Sequence, residues 1–195
     1  MNIKILGAHN CEWQNLKLTS LLIDDVLAID AGALTSSLSF EAQQKIKAIL
    51  LTHQHYDHVR DIPTIAMNFF LHDATIKVYS IPAVYDALAT HLMNDELYPA
   101  FQQKPPQNPT VGFTVIESGK LLQVEGYSIL AVPVNHSVPT VGYQVASSDG
   151  EVVFYTGDTG PGLADCWQRI SPQLLITEVT APDKYKEWAV KSGHL

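Results

Sequence analysis

The feature that most constrains this chain is the segment LTHQHYDHVRD at residues 51–61, which holds three histidines and two aspartates. It continues a short apolar run, AILLT, of the kind that a buried strand shows. Alternate side chains of an extended segment share a face, so His53 and His55 should point the same way. A tight turn after them can direct Asp57 and His58 to a second point nearby. These ligands suffice for parts of two metal centres, and their spacing disfavours a merely solvated polar loop.

The composition narrows the setting of such a site. With 195 residues, 46% of them hydrophobic, we expect residues 1–195 to form a single domain with a sizeable core. The formal charge of -8 gives no broad attraction for nucleic acid or an anionic membrane, so any anion must be held locally. Two distant cysteines, Cys11 and Cys166, and the absence of a signal-like or membrane-spanning segment favour the cytoplasm.

The pattern along the chain predicts an α/β fold. We expect a strand over residues 2–7, a hairpin over 18–32, a helix capped by Ser39 and a second helix with Pro63 in its first turn. The proline-rich residues 91–109 predict a loop or lid. Branched and aromatic runs from Gly112 onward predict strands, followed by a final helix in DKYKEWAVK. Strands in two groups with interposed helices indicate a sandwich.

Several motifs together resemble those of the metallo-β-lactamase superfamily. HQHYDH after AILLT looks like the superfamily's HxHxDH signature, and LLIDDVLAIDAG resembles its first hairpin with a DxG element. VNHSVPTVGYQV and FYTGDTGP resemble the later metal-binding segments, in the superfamily's order. The resemblance implies a four-layer αββα sandwich, the metallo-β-lactamase fold, and a metal-dependent hydrolase.

The resemblance also implies the ligands of two divalent metal ions. It assigns His53, His55 and His136 to the first ion and Asp57 and His58 to the second. Asp158 bridges the two ions in this assignment. His136 and Asp158 each follow an apolar run and would project from strand ends, although each alone is also typical of an ordinary loop. Zinc is the expected metal, and manganese, iron and nickel accept the same ligands.

Such a pair of ions predicts hydrolysis through a bridging hydroxide, with Asp57 anchoring the second ion and orienting that hydroxide. The net positive charge of the centre favours an anionic phosphodiester substrate. Members that hydrolyse β-lactams typically lack the bridging aspartate, so Asp158 implies the phosphodiesterase branches. Among these, the chain resembles the class II cyclic-nucleotide phosphodiesterases and RNase Z.

Two further segments carry that closer resemblance. THLMNDELYPAF resembles a segment of the cyclic-nucleotide enzymes, except that Leu97-Tyr98 replaces Ile-Trp, and packing of its Leu and Met in the core remains an alternative. LLITEVTAP followed by SGHL places Glu178 and His194 where the branch has a carboxylate-supported histidine that protonates the leaving oxygen. A solvated histidine and a second-metal ligand are the alternative interpretations of His194.

The superfamily ordinarily continues for some tens of residues and supplies one more histidine ligand, whereas no histidine follows His194 here. We therefore expect the C-terminal portion of the fold to be missing; an incomplete second site or completion by a homodimer partner are the alternatives. The expected function is a phosphodiesterase for a small nucleotide, cyclic nucleotides included, with no membrane partner. An RNase Z-like endonuclease is disfavoured, because only 12 Lys and Arg residues are present to bind the phosphates of an RNA, but the overall charge does not exclude it. A thioester or lactone hydrolase and a catalytically impaired metal-binding domain are the remaining alternatives.

Overall fold

The computed structural model describes residues 1–195 and divides into two compact units, Met1–Val115 and Ile116–Leu195. Each unit has its own β-sheet and its own helices. None of the helices is both long and apolar enough to cross a membrane. That the two units form one domain stays a prediction.

The N-terminal unit is built on a mixed six-stranded sheet. The strands follow one another in chain order across the sheet, antiparallel for the first three and parallel from the third onward. They are β1 (Ile3–Gly7), β2 (Ser20–Ile23), β3 (Leu27–Ile29), β4 (Ala48–Leu50), β5 (Ile76–Ser80) and β6 (Val111–Val115). The central strands β2, β3 and β4 are buried along their whole length. This explains why their sequences are almost continuously apolar rather than alternating.

Short helices connect these strands. They are α1 (Leu34–Ser37), α2 (Phe40–Gln43), α3 (Tyr56–Val59), α4 (Ile62–Phe70) and α5 (Pro82–His91). The Ser39 hydroxyl accepts a hydrogen bond from the Ala42 amide at 3.3 Å, so the predicted N-cap is confirmed. Pro63 lies in the first turn of α4, also as predicted. The start of α5 was not predicted, although Pro82 at its first position is a common helix-start signal.

The proline-rich segment after α5 contains no helix or strand, so the predicted loop is confirmed. Its inner residues are nevertheless packed: Met93 is buried, and the ring of buried Phe101 lies 5.3 Å from that of Phe70. The Asp95 carboxylate accepts hydrogen bonds from the Ala100 amide at 2.9 Å and from the Lys104 ammonium at 2.6 Å. Core packing of the methionine is thus confirmed, and a lid role stays a prediction.

The C-terminal unit is built on a five-stranded sheet, in which β10 and β11 are parallel and the other neighbours antiparallel. In spatial order its strands are β11 (Leu174–Ile176), β10 (Val152–Tyr155), β9 (Val141–Ala146), β8 (Tyr127–Pro133) and β7 (Leu121–Val124). The helical segments are α6 (Ala164–Trp167), a 3₁₀ turn (Asp183–Tyr185) and α7 (Lys186–Lys191). The sequence analysis missed β7 and predicted the other four strands.

In both units the strand ends carry the side chains of chemical interest. The histidine-rich segment begins directly after β4, whereas His136, Asp158 and Glu178 follow β8, β10 and β11 within three residues. This agrees with the expectation that these side chains project from strand ends.

Candidate functional site

In the N-terminal unit, His53 and His55 lie in the extended segment after β4. His53 is fully buried, and its Nε2 lies 3.0 Å from Nδ1 of His55. The two rings meet edge to face, with centroids 4.6 Å apart. Their side chains therefore point to one place, as the alternation of an extended segment predicts.

Buried polar side chains hold the other nitrogens of this cluster. Thr52 Oγ1 lies 3.0 Å from Nδ1 of His53, and Asp30 accepts hydrogen bonds from the amide and hydroxyl of Thr52. The second oxygen of Asp30 lies 2.7 Å from Nδ1 of His58. Asp30, Thr52 and His58 are all fully buried. A carboxylate on Nδ1 keeps the proton there and makes Nε2 of His58 the nitrogen that can bind a metal, which is the usual arrangement behind a metal-binding histidine.

The single turn of α3 positions Asp57 and His58. Asp57 Oδ2 lies 3.6 Å from Nε2 of His58, so both groups face one region. The backbone passes so close to Gly32 that a Cβ there would lie 1.9 Å from the Asp57 carbonyl oxygen. A hydrogen bond from the Ala31 amide to the His58 carbonyl at 2.7 Å completes the contact. Only glycine at position 32 permits this approach.

A salt-bridge network fixes the end of α3. Arg60 Nε donates to Asp61 Oδ1 at 2.9 Å, and its Nη1 donates to the carboxylate of Glu12. The Glu12 pKa is lowered because of this hydrogen bond to Arg60. Asp61 Oδ2 in turn accepts from the Thr35 amide at 2.7 Å. The loop after β1, α1 and α3 are thereby joined.

In the C-terminal unit, His136 and Asp158 each offer a ligand atom, and these atoms lie within 4.8 Å of one another. Nδ1 of His136 lies 2.8 Å from the Gly193 carbonyl oxygen. Because a carbonyl only accepts, the proton resides on Nδ1, and Nε2 is the atom that can bind a metal. Gly193 has a φ of +81°, which suits glycine far better than other residues.

Glu178 and His194 form a close pair in the same unit. Nδ1 of His194 lies 2.9 and 3.1 Å from the two oxygens of Glu178, and 3.8 Å from Oδ2 of Asp158. Glu178 also accepts from the Thr159 amide at 2.6 Å and from the hydroxyl of Thr180. The His194 side chain is only 15% exposed. The alternative of a solvated terminal histidine is therefore wrong.

The last residues hold His194 in this position. Its ring meets that of His136 edge to face at 4.9 Å and lies nearly parallel to Trp188, with 6.4 Å between ring centres. The His194 amide donates to the Ala189 carbonyl at 2.9 Å, and the Thr180 amide donates to the Leu195 carbonyl at 3.3 Å. The C-terminal tail thus forms part of this constellation.

The donor atoms in each unit suit divalent transition metals. The N-terminal unit offers imidazoles and a carboxylate, with the second nitrogens of His53 and His58 held by Thr52 and Asp30. The C-terminal unit offers His136 with its second nitrogen held by a backbone carbonyl. There, Asp158, Glu178 and His194 also bring ligand atoms within 4.8 Å of one another. This donor chemistry fits zinc, and also manganese, iron and nickel.

The comparison with protein families decides the classification. A family model described as the beta-lactamase superfamily domain matches residues 19–195, which is most of the chain. The chain belongs to this superfamily. The resemblance inferred from the HQHYDH and later motifs is thereby confirmed.

Two curated relatives are ribonucleases by name. The chain is 30% identical over 123 residues to a ribonuclease J of Sinorhizobium meliloti, covering 62% of this chain and 19% of that protein. It is 24% identical over 125 residues to a ribonuclease Z of Listeria welshimeri, covering 62% of this chain and 38% of that protein. The chain therefore spans well under half the length of either relative.

Solved structures of superfamily members share the fold. YhfI from Bacillus subtilis, described as a metallo-β-lactamase fold protein, has a TM-score of 0.77 at 19% identity over 98% of this chain and 76% of that one. Yeast PDE1 has a TM-score of 0.83 at 15% identity, covering 99% and 78%. The short form of human tRNase Z has a TM-score of 0.73 at 20% identity, covering 100% and 83%. The predicted metallo-β-lactamase fold is confirmed, and at these identities the likeness shows the fold alone.

Three residues that support the proposed metal ligands were not predicted from the sequence. Asp30 was part of the IDAG motif, and its φ of +60° places it at a special backbone position that aspartate tolerates. Thr52 directly precedes the first histidine. Gly193 precedes His194, but nothing local in the sequence indicates that its carbonyl contacts a histidine 57 residues away.

Proposed function

We propose that the chain is a dinuclear metal-dependent phosphodiesterase that acts on a small nucleotide. The observation that carries the proposal is the Glu178–His194 pair beside Asp158. The carboxylate on Nδ1 leaves Nε2 as the nitrogen that can deliver a proton, and the ring lies beside Asp158, with 3.8 Å between its Nδ1 and Oδ2 of that aspartate. Such a donor accelerates hydrolysis of a phosphodiester whose alcohol is a poor leaving group.

We assign the ligands of the two ions as the superfamily's motifs imply. Asp158 would bind both ions, Asp57 and His58 would bind one of them, and three imidazoles, those of His53, His55 and His136, would bind the other. Support comes from the hydrogen bonds that hold the opposite nitrogens of His53, His58 and His136. Two divalent ions, with zinc as the proposed metal, would lower the pKa of a shared water and neutralise charge on the phosphate.

The chain's own residues have defined tasks in this proposal. Asp57 orients the attacking water. His194 donates the proton on Nε2 to the departing ester oxygen, while Glu178 retains the proton on Nδ1 and offsets the imidazolium charge. Proton donation of this kind is worth about 10² to 10⁴ in rate. Thr159 and Thr180 donate hydrogen bonds to Glu178 and keep its oxygens directed at the ring.

The proposed substrate is small because the chain offers few groups to hold a long polyanion. The chain has 12 basic and 20 acidic residues, so its net charge of -8 does not favour binding of an extended phosphate backbone. An RNase Z-like endonuclease is the second candidate, and the ribonuclease names of two curated relatives are the observation that favours it. Both cysteines are free, which supports a reducing compartment such as the cytoplasm as the proposed location.

The test is a substrate panel with the zinc-loaded or manganese-loaded protein. It contains bis(p-nitrophenyl) phosphate, cyclic and linear nucleotides, a short RNA hairpin, a thioester and a lactone. We expect phosphodiester turnover that Asp158→Ala abolishes and that Asp149→Ala, an exposed turn aspartate of the same unit, leaves intact. Turnover of acyl substrates alone, or phosphodiester cleavage that survives Asp158→Ala undiminished, would refute the proposal. Cleavage of RNA without cleavage of small nucleotides would favour the second candidate.

A further inference from the structure

A cavity of about 460 Å³ lies within the C-terminal unit, apart from the clustered metal-binding side chains. Its inner wall is apolar and belongs to a small core cluster that contains Val132, Leu163 and Cys166, all buried. Burial raises the pKa of the Cys166 thiol, so this sulfur remains a neutral, apolar surface near neutral pH. The wall therefore suits the flat or aliphatic part of a small molecule.

The rim of this cavity is polar. Asn135, Asp165 and Arg169 contribute an amide, a carboxylate and a guanidinium. The ion pairs of the C-terminal unit engage Lys120 and His194 and do not include Arg169. An apolar wall with a few convergent polar groups is the usual composition of a small-molecule site. The single guanidinium indicates that the ligand carries an anionic group, because such a group can form paired hydrogen bonds with it.

The cavity adjoins the loops that bear His136 and Asp158. Asn135 precedes His136 in sequence, and its side-chain amide donates to the Pro161 carbonyl at 2.6 Å. Its backbone carbonyl accepts from the Gly160 amide, two residues after Asp158. Gly162, which lines the cavity, lies four residues after that aspartate. A ligand in the cavity would thus rest against the loops of both metal-binding residues.

We propose that this cavity binds one nucleoside of a linear phosphodiester substrate, with a second phosphate on Arg169. The heterocycle would lie against Val134 and Leu163, and the amide of Asn135 and the carboxylate of Asp165 would form hydrogen bonds with its polar edge. This inference rests on the proposed phosphodiesterase function and deepens it. A cyclic mononucleotide has only one phosphate, which the reaction requires at the metal ions. The proposal therefore favours linear substrates with a terminal phosphate over cyclic ones.

The first test uses the substrate's own phosphate as the control. The KM of a dinucleotide with a terminal phosphate and the KM of the same dinucleotide without it are measured on the wild type and on Arg169→Ala. We expect the substitution to raise the first KM by about tenfold more than the second, since one charge-assisted contact is lost only in that case. Lys186→Ala, which removes an exposed cation from α7, should raise both values equally or not at all. An equal effect of Arg169→Ala on both substrates would overturn the proposal.

The second test needs no turnover and so distinguishes this inference from the proposed function. Alkylation of Cys166 and Cys11 is followed at alkaline pH with and without a nucleoside monophosphate, an unphosphorylated nucleoside and inorganic phosphate. We expect the monophosphate to protect Cys166 saturably while exposed Cys11 in the other unit keeps its rate. Protection should need about ten times more ligand in Arg169→Ala. Failure of the monophosphate to protect Cys166, or equal protection in the variant, would contradict the inference even if bis(p-nitrophenyl) phosphate is hydrolysed.

Discussion

The two units support the side chains proposed to bind metal in different ways. In the N-terminal unit, Asp30 and Thr52 hold His53 and His58 from inside the core, and all four residues are fully buried. In the C-terminal unit, the Gly193 carbonyl in the tail supports His136, while Glu178 after β11 supports His194 of the tail, and these side chains are only partly buried. The N-terminal set, with His53 and His58, therefore depends on the folding of its unit. The C-terminal set, with His136 and His194, depends on docking of the tail and can be disturbed without unfolding the unit.

The largest contrast is expected between two glycines. Gly32→Ala would bring a Cβ within 1.9 Å of the Asp57 carbonyl oxygen, which forces the backbone apart and should cost about 3 kcal/mol or more. Gly193→Ala meets the Ser137 amide at 2.7 Å and needs a positive φ, which should cost about 1 to 3 kcal/mol. Thermal unfolding of both variants measures the difference.

Metal affinity is a second property that distinguishes Gly193→Ala from Gly32→Ala. Folded Gly193→Ala should bind metal more weakly because the carbonyl that holds His136 is displaced. If Gly32→Ala proves as stable as the wild type, the core-supported description of the N-terminal set is wrong.

The second contrast concerns the buried carboxylate of the N-terminal set. Asp30→Ala leaves Thr52 and His58 without their shared acceptor, and we expect a loss of about 3 to 5 kcal/mol in the free energy of unfolding. Metal affinity should fall by about 10-fold to 100-fold. Asp30→Asn is the matched control, because asparagine keeps the size and tolerates the positive φ. An Asp30→Ala variant as stable as the wild type would show that the shared acceptor matters little, whereas equal large losses in Asp30→Ala and Asp30→Asn would assign the effect to the charge.

The third contrast tests the carboxylate of the C-terminal set. His194→Ala and Glu178→Gln should lower kcat for a phosphodiester with a poor leaving group by about 10² or more, because proton donation is impaired. The effect should be much smaller with bis(p-nitrophenyl) phosphate, whose leaving group needs little protonation. Stability should change little compared with Asp30→Ala, since the Glu178 and His194 side chains are partly exposed. Glu187→Gln on α7 is the control.

An equal loss of turnover for both kinds of leaving group would point instead to a metal-ligand role for His194. The second-metal alternative from the sequence would then be favoured.

The smallest contrast concerns two hydroxyl groups. Thr52→Val removes the hydroxyl that links Asp30 and His53 in a fully buried position, which should cost about 1 to 3 kcal/mol. Thr180→Val removes a hydrogen bond to partly exposed Glu178, which should cost about 0.5 to 1.5 kcal/mol. Denaturant unfolding of the two variants compares them directly. If Thr180→Val lowers the free energy of unfolding more than Thr52→Val does, the N-terminal set is not the more tightly supported one.

Local patterns in the sequence predicted much of each unit. The apolar runs of β4 and β8 and the cap at Ser39 are local signals, and the structure confirms them. The shared direction of His53 and His55 follows from the alternation of an extended chain. The helix α5 was missed although its first-turn proline was visible in the sequence.

The supporting contacts could not be predicted in the same way. Asp30 contacts His58 from 28 residues away, and the Gly193 carbonyl contacts His136 from 57 residues away. Neither contact has a periodic pattern, because each depends on how separate elements pack. The backbone carbonyl is the extreme case, since every residue has one and its sequence position carries no chemical signal.

The central proposal is that the two sets share one pair of metal ions. The most direct measurement is an anomalous difference map of zinc-loaded crystals at the metal absorption edge. The account predicts two peaks about 3.5 to 4 Å apart, with Asp158 between them, one peak at His53, His55 and His136 and the other at Asp57 and His58. A peak at His53 and His55 with His136 and Asp158 outside bonding distance would contradict it.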